Sequence, residues 1–318
     1  MIHCAICFHD PADRYKTAYC ALLSCFENTS ERIHVHALID ASAAPCKPWL
    51  EELCERYGNS ITFYENVKVP KEVLDTFPGG YVAIYTEASL YRMCLHEQLP
   101  EEVEKVVYFD FDVIFERDIA DLWNIELGDA WMLATHDPER VWSKAKQEYY
   151  IKALDLDEKR YFNSGVLLMN LKALREASKD GNVFWKAYIA GAKKFRTLKI
   201  TVFDQDLLNH LLSRDHEKLL LTDVSFNYEL CLRDRRFLRL KDLKGKILHF
   251  PALKPWEKFF PAQLVYWKYY SRTPWADEVF PLIEDRMFDP TDRIWPFLMW
   301  LWRRHASLRW LARLRGSR

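Results

Sequence analysis

The first 110 residues alternate short apolar runs with amphipathic stretches, and this alternation is the strongest constraint on the fold. The runs rich in β-branched and aromatic residues are 3–8, 32–39, 60–64 and 105–109, and the stretches with helical spacing are 17–27, 47–57 and 86–96. Strands that alternate with helices of this length are typical of parallel sheets built from βαβ units. We therefore predict an α/β protein whose N-terminal part is a nucleotide-binding unit.

The composition is that of a compact globular protein. Of the 318 residues, 49% are hydrophobic and 15% aromatic, and 45 basic residues nearly balance 46 acidic ones. Disordered chains have lower hydrophobicity or higher net charge, and nucleic-acid-binding domains are usually basic. We therefore expect no nucleic-acid partner. We also expect one main domain over residues 1–278, followed by a separate segment, 279–318.

The cysteines and the N-terminus favour a reducing compartment. Seven of the eight cysteines lie in the first 94 residues, and chains of this size rarely depend on a disulfide scaffold. Cys4 and Cys7 have the C-x-x-C spacing, but no second pair supplies the other half of a zinc site. The sequence opens with neither a basic region nor a long apolar run, so it lacks a signal-peptide pattern. We expect buried, reduced thiols and a cytoplasmic protein.

An apolar strand that runs into two carboxylates is the first candidate for chemistry. Residues 106–109 lead into Asp110 and Asp112, whose spacing points both side chains to one face of an extended chain. Ligands of open α/β sheets bind at the carboxyl ends of strands, and adjacent carboxylates there require a cation or protons. We favour metal binding over a structural turn. The same D-x-D pattern occurs at Asp155 and Asp157, but it lies in a charged stretch and predicts only a solvated face.

A short strand over 246–250 is the second candidate. It ends near His249, and Lys254 follows five residues later beside Trp256. Imidazole is a common ligand of transition metals, and a lysine ammonium is suited to phosphate. Together with two aspartates, His249 would make a mixed oxygen and nitrogen site that suits Mn2+ better than Mg2+. Taken alone, the pair is better explained by a buried histidine bonded to a carbonyl and an ordinary surface lysine.

Two further stretches carry neutral amides and carboxylates, the groups that hydrogen-bond sugar hydroxyls. Asn163 begins an N-S-G triplet before an apolar strand over 165–170, and Asp204, Gln205 and Asp206 precede a helix over 207–212. A simple turn and a helix N-cap explain these residues equally well.

The four stretches in this order resemble the retaining glycosyltransferases of family eight. The resemblance covers roughly residues 1–260 and rests on FDFD at 109–112, YFNSGVLLMNL at 161–171, DQDLLN at 204–209 and HFPALKPW at 249–256. Such enzymes have a GT-A fold, one α/β domain with a largely parallel central sheet. The resemblance implies that a hexose, galactose or glucose, is moved from a UDP-sugar to a saccharide or glycolipid of the cell surface, as in lipopolysaccharide synthesis.

The resemblance also assigns roles by position. It makes Asp110, Asp112 and His249 the ligands of Mn2+, with Mg2+ as the alternative ion. It places Gln205 and Asp204 at the catalytic centre, beside the donor sugar. The residues that it assigns to substrate binding are Asp10 at uridine, Arg92 at the donor, Asp137 at the acceptor, Asn163 at the donor sugar and Lys254 at the diphosphate.

Other functions fit parts of the pattern. A metal-dependent phosphohydrolase would carry its D-x-D on the first strand, and a sugar nucleotidyltransferase would carry a Gly-rich N-terminal loop; this sequence has neither. A catalytically degenerate glycan-binding or scaffold protein on the same fold is the non-enzymatic alternative. For an active transferase, Gln205 is a poor nucleophile, which favours front-side attack by the acceptor hydroxyl over a covalent intermediate.

The C-terminal segment has its own composition. Residues 293–318 carry seven Arg, four Trp and no acidic residue. One explanation is a packed last helix with a solvated basic face. Arginine combined with Trp and Leu also fits an anionic headgroup layer, which predicts a helical extension that holds the protein on the inner face of the cytoplasmic membrane.

Overall fold

The computed structural model describes residues 1–9, 15–75, 87–137, 148, 151–197, 203–230, 240–251, 254–257 and 261–279. Two of the predictions lie outside these residues: the uridine contact of Asp10 and the helical, membrane-facing extension over 293–318. The boundary between a main domain and a C-terminal segment at residue 278 also stays a prediction.

The described residues form ten strands and nine α-helices. The strands are β1 (Ile2–Phe8), β2 (Ile33–Ile39), β3 (Ser60–Tyr64), β4 (Lys105–Phe109), β5 (Val113–Phe115), β6 (Met132–His136), β7 (Phe162–Asn170), β8 (Leu219–Thr222), β9 (Tyr228–Glu229) and β10 (Ile247–His249). The helices are α1 (Tyr15–Glu27), α2 (Lys47–Arg56), α3 (Lys71–Leu74), α4 (Leu95–Gln98), α5 (Ala120–Trp123), α6 (Leu171–Ala177), α7 (Val183–Thr197), α8 (Phe203–Leu212) and α9 (Leu264–Tyr270). A 3-10 helix, Glu87–Cys94, precedes α4.

Seven strands form the central sheet, in the order β3-β2-β1-β4-β7-β6-β8. All neighbours in this sheet pair in parallel except β7, which runs antiparallel to β4 and to β6. The prediction of an α/β protein with a largely parallel sheet is confirmed. Because β7 is reversed, its first residues lie at the same edge of the sheet as the last residues of β4 and β6.

A second, three-stranded sheet lies beyond that edge, in the order β5-β10-β9. Strand β10 is antiparallel to β5, with His249 opposite Val113, and parallel to β9. Since β5 begins directly after Asp112, this pairing brings the end of β10 to the end of β4. Two chain segments that are distant in sequence therefore meet at one point.

The central sheet is covered on both faces, which explains why its strands read as continuous apolar runs. On β1, Cys4 and Ile6 pack into one apolar cluster with α1, whereas Ala5 and Cys7 pack into the other, with the segment around α4. A third cluster joins β10 to the aromatic helix α9. Seven cysteines are described, and all are buried and unbridged, as expected.

The predicted strand bounds differ from the observed ones mainly around β7. The strand predicted over 165–170 begins instead at Phe162, so Asn163 lies inside a strand and not in a turn. Within that strand, Asn163 is paired opposite Thr135 of β6. Among the described residues, no helix has both the length and the apolar character needed to cross a bilayer.

Candidate active site

Two backbone hydrogen bonds fix the segment that carries the paired aspartates. The N–H of Asp110 donates to the carbonyl of Gly165 on β7 (2.8 Å), which extends the β4–β7 pairing past the end of β4. The N–H of Phe250 donates to the carbonyl of Asp112 (3.1 Å), which ties the same segment to β10. The two sheets therefore hold both carboxylates where their strand ends meet.

Asp110, Asp112 and His249 form one compact cluster. The Nε2 atom of His249 lies 3.8 Å from Oδ2 of Asp110 and 3.4 Å from Oδ1 of Asp112. One ligand atom from each residue lies within 4.8 Å of the others, and the described residues contain no second group of three such side chains. Two carboxylates and an imidazole fit a divalent ion of the Mn2+ class.

Lys254 compensates the more buried carboxylate. Its Nζ atom forms an ion pair with Oδ2 of Asp112, whose side chain is only 4% exposed. Burial by itself raises the pKa of Asp112, but the neighbouring charge of Lys254 and the contact with His249 outweigh this effect and hold that pKa below its usual value. Asp112 is therefore an anion that is already matched to a cation.

Arg92 compensates the other carboxylate. It is buried in the 3-10 helix, and its Nη2 atom donates to Oδ1 of Asp110 (3.0 Å) and lies 3.4 Å from Oδ2 of Asp204. Its Nη1 atom donates to the backbone carbonyl (2.7 Å) and the hydroxyl (3.0 Å) of Ser164. Burial raises the pKa of Asp110 although Arg92 opposes this effect. One guanidinium thus joins the aspartate pair to β7 and α8.

Gln205 is held at both ends of its amide group. Its Oε1 atom accepts from the N–H of Ser164 (3.0 Å), and its Nε2 atom donates to Oδ2 of Asp137 (3.2 Å) and to the hydroxyl of Tyr161 (3.0 Å). The Tyr161 hydroxyl in turn donates to Oδ1 of Asp206 (2.9 Å). This chain of bonds fixes the orientation of the Gln205 amide, which shares Ser164 as a partner with Arg92.

All the predicted site residues within the described chain come together at this sheet edge. Each is linked to another by hydrogen bonds or ion pairs, either directly or through a neighbouring side chain. They are Arg92, Asp110, Asp112, Asp137, Asn163, Asp204, Gln205, His249 and Lys254. Their roles in binding and catalysis are proposals.

Sequence reasoning missed several residues of this network, among them Asn227, Tyr161, Ser164 and Gly165. Asn227 precedes the two-residue strand β9 and contacts both Asn163 and His249. Tyr161 and Gly165 belong to the stretch that carries the family resemblance, but their types gave no reason to assign them a function. Asn227 lies in no recognisable motif, so only the pairing of β9 with β10 reveals its place.

Comparison with known proteins identifies the family of this chain. The family described as "Glycosyl transferase family 8" matches residues 6–259. A "Putative glycosyltransferase" of Haemophilus influenzae is 28% identical over 202 residues, which are 62% of this chain and 56% of that protein. The "Lipopolysaccharide glucosyltransferase WaaO" of Escherichia coli is 24% identical over 266 residues, which are 79% of this chain and 72% of that protein.

Solved structures show the same fold. The galactosyltransferase LgtC in complex with donor and acceptor sugar analogues superposes with a TM-score of 0.67 at 22% identity, over 86% of this chain and 96% of that chain. The glycosyltransferase GlyE of Streptococcus pneumoniae superposes with a TM-score of 0.60 at 18% identity. The architecture is thus a GT-A fold, and because the family match spans most of the sequence, the chain belongs to glycosyl transferase family 8.

Proposed function

We propose that this chain is a metal-dependent, retaining hexosyltransferase that uses a UDP-sugar, UDP-galactose or UDP-glucose. Its acceptor is a saccharide hydroxyl of a cell-surface glycan or glycolipid. The observation that carries the proposal is the cluster of Asp110, Asp112 and His249 at a strand end, flanked by Arg92 and Lys254. A lipopolysaccharide glucosyltransferase among the relatives supports this class of acceptor.

The aspartates and His249 would hold the ion, and Mn2+ is the ion that their mixed donor set favours. When bound, a divalent ion neutralises charge that develops on a departing diphosphate. Lys254 supplies a further positive charge next to Asp112, and it can turn to the diphosphate of the donor. The protein thus offers cationic groups on the side of the site where the leaving group must lie.

A second part of the site is built from amides and carboxylates. Gln205 and Asp137 are joined by a hydrogen bond, and both are more than nine-tenths buried. An amide is a poor nucleophile. The charge of Asp204 is engaged by Arg92, and Asp206 is fully buried and bonded to Tyr161. These contacts support front-side attack by the acceptor hydroxyl, in which Gln205 positions the sugar and no carboxylate forms a glycosyl ester.

The direct test measures Mn2+-dependent hydrolysis and transfer with UDP-galactose and UDP-glucose. Asp112→Asn should abolish turnover, while Asp121→Asn, an exposed aspartate that pairs with Arg117, should leave it unchanged. A thermal-shift series with each UDP-sugar, with and without Mn2+, reports binding independently, because a bound ligand raises the apparent stability. Equal turnover with and without Mn2+ would remove the metal-dependent proposal.

Two outcomes would redirect the assignment. Binding of UDP-sugars with no turnover on any acceptor and no hydrolysis would favour a glycan-binding or scaffold protein. Formation of a UDP-sugar from UTP and a sugar phosphate would favour a sugar nucleotidyltransferase. A glycosyl adduct trapped on Asp204 or Asp206 and found by mass spectrometry would replace front-side attack by a double displacement.

We also propose that the protein works at the inner face of the cytoplasmic membrane. The support is the composition of 293–318, which holds seven of the 45 basic residues and none of the 46 acidic ones. Basic and aromatic side chains together favour anionic bilayer surfaces. Sedimentation with anionic and with neutral vesicles tests this: a chain truncated near Pro290 should lose binding to the anionic vesicles, and equal binding by both chains would contradict it.

A further inference from the structure

The backbone N–H of Gly165 starts a chain of hydrogen bonds that ends at His249. That N–H donates to Oδ1 of Asn163 (2.8 Å), and the same oxygen accepts from Nδ2 of Asn227 (2.9 Å). Oδ1 of Asn227 then lies 3.0 Å from Nδ1 of His249. Asn163, Asn227 and His249 are 5%, 3% and 3% exposed, so water does not compete for these bonds.

The chemistry of each group fixes the direction of every bond in this chain. A backbone N–H can only donate, so the atom of Asn163 that faces Gly165 must be its oxygen. Two oxygens cannot bond each other, so the atom of Asn227 that faces Asn163 must be its nitrogen. The other end of the Asn227 amide is then its oxygen, which only accepts. Nδ1 of His249 therefore carries a proton and donates it to Asn227.

We infer that Asn227 is a positioning residue that holds His249 as the Nδ1–H tautomer and leaves the lone pair of Nε2 toward Asp110 and Asp112. The neutral imidazole has one proton, and with that proton on Nδ1 the Nε2 atom is an acceptor. The reverse tautomer would aim two lone pairs at each other across the 3.0 Å contact with Asn227. Ligand histidines depend on such a partner for their orientation and tautomer.

The same amide links His249 to Asn163, which the family resemblance assigns to the donor sugar. Both lone pairs of Asn163 Oδ1 are used, one by Gly165 and one by Asn227. The orientation of Asn163 therefore depends on the residue that orients His249. A change at Asn227 should therefore alter the ion site and the donor site together. The bond from Asn227 to Asn163 and the bond from His249 to Asn227 can be removed separately by the choice of substituent.

Two variants of Asn227 and one control distinguish the bond to Asn163 from the bond to His249. Asn227→Leu has a similar volume and removes both. Asn227→Asp keeps an acceptor for His249 Nδ1–H but removes the donor to Asn163. Asn182→Leu is the matched control, since Asn182 is another buried asparagine, which bonds the carbonyl of Met93 outside the site. Comparing the thermal unfolding of all three shows how much of any effect is loss of fold.

The first measurement is the affinity for Mn2+, which is obtained from the electron paramagnetic resonance signal of the free ion. Relative to the wild-type protein, Asn227→Leu should weaken binding by about 10- to 100-fold, while Asn227→Asp and Asn182→Leu should stay within about threefold. Folded Asn227→Leu with unchanged Mn2+ affinity would overturn the inference. Asn227→Asp should nevertheless bind UDP-sugar less tightly than the wild-type protein, because Asn163 has lost its donor.

The second measurement is made without the ion. The inference rests on the proposed function, because His249 matters as a metal ligand only if the protein binds a metal. Long-range 1H–15N spectra are recorded on the metal-free protein at pH 8, and the signals of His249 are assigned by their absence in His249→Gln. In the wild-type protein the spectra should show the proton on Nδ1. In Asn227→Leu this preference for Nδ1 should be lost, or the two tautomers should average. A proton on Nε2 in the wild-type protein overturns the inference. If the wild-type protein and Asp112→Asn bind Mn2+ equally, the metal proposal fails, and these spectra still decide the role of Asn227.

Discussion

The imidazole of His249 lies directly against Gly165, and a β-carbon built at Gly165 would be 2.1 Å from Cε1 and 2.7 Å from Nδ1 of that ring. Real β-carbons do not make such contacts. Gly165 is not among the glycines with positive φ, so its backbone conformation is open to other residues. The glycine is needed here for space, because β7 must pass beneath the ring of a proposed metal ligand.

Gly165→Ala should therefore damage the site more than the fold. The added methyl group must displace the imidazole of His249 from its position, which disturbs both its bond to Asn227 and its contacts with Asp110 and Asp112. We expect Mn2+ affinity to fall at least tenfold and transferase activity to fall with it, while the helical and strand content is kept. Titration with Mn2+ and circular dichroism measure the two effects separately.

Gly245→Ala is the control for this prediction. Gly245 has a φ of +72°, but a β-carbon there would meet no atom within 4 Å. Its substitution should cost about 1 kcal/mol of unfolding free energy through backbone strain and leave Mn2+ affinity unchanged. If both variants lose Mn2+ binding equally, the contact between Gly165 and His249 is not the cause.

Lys254→Met should change ion binding and catalysis in opposite directions. The ammonium group now pairs with Asp112, so it competes with a metal ion for that carboxylate. Its removal should tighten Mn2+ binding several-fold, while turnover should fall by about 10²–10³ because one charge is lost at the leaving group. Lys268→Met, which breaks a pair with Glu116 away from the site, should change neither. Weaker Mn2+ binding in Lys254→Met would contradict the competition.

Arg92→Lys should show that the guanidinium is not replaceable by another cation. Lysine cannot reproduce the planar set of bonds to Asp110 and Ser164, and it would leave buried acceptors without donors. We expect a loss of about 2–4 kcal/mol in unfolding free energy and a higher KM for the donor. Arg56→Lys, in an exposed pair with Glu52, should cost less than about 0.5 kcal/mol. Equal losses of unfolding free energy for Arg92→Lys and Arg56→Lys in urea titrations would contradict this prediction.

Acid should destabilise the fold through His36, which is buried in the central sheet and bonded to His3 and Tyr64. Burial, followed by the neighbouring His34 and His3, lowers the pKa of His36 to about 3. In the unfolded chain its pKa is about 6.5. Between these values the unfolded chain binds a proton that the folded protein does not, so stability falls as the pH falls.

The expected loss from His36 is about 2 kcal/mol of unfolding free energy between pH 7 and pH 5. Urea titrations across this range measure it. His36→Gln should flatten the dependence on pH, whereas substitution of the exposed His216 should leave its slope as in the wild-type protein. A slope that His36→Gln does not change would show that this histidine is not the source.

The periodicity of the sequence predicted most of the N-terminal half of the sheet because each strand there is followed by its own amphipathic segment. Strands β3 and β4 have the predicted bounds, 60–64 and 105–109. Strand β5 has only three residues and strand β9 only two, and such short segments carry no readable period. The reversal of β7 was also not predictable, because an apolar run looks the same in either direction.

The site was predictable where type and spacing carry chemistry. Asp110 and Asp112 are separated by one residue in the sequence, so they lie close together, although β4 ends at Phe109 and residues 111 and 112 form a turn in place of the expected extended chain. His249 could be joined to them only through the family resemblance, since 136 positions lie between it and Asp112 in the chain. Asn227 could not be found at all, because its function comes from two neighbours, Asn163 and His249, that only the folded chain brings to it.

The pairing of β5 with β10 also bears on the order in which the molecule assembles. These strands are more than 130 residues apart in the chain, whereas β1, β2 and β3 follow one another closely. Contacts of long sequence separation cost more loop entropy and form late. We expect the first half of the sheet to gain hydrogen-exchange protection before His249 meets Asp112, so a nascent chain would have folded its N-terminal strands before it could hold an ion.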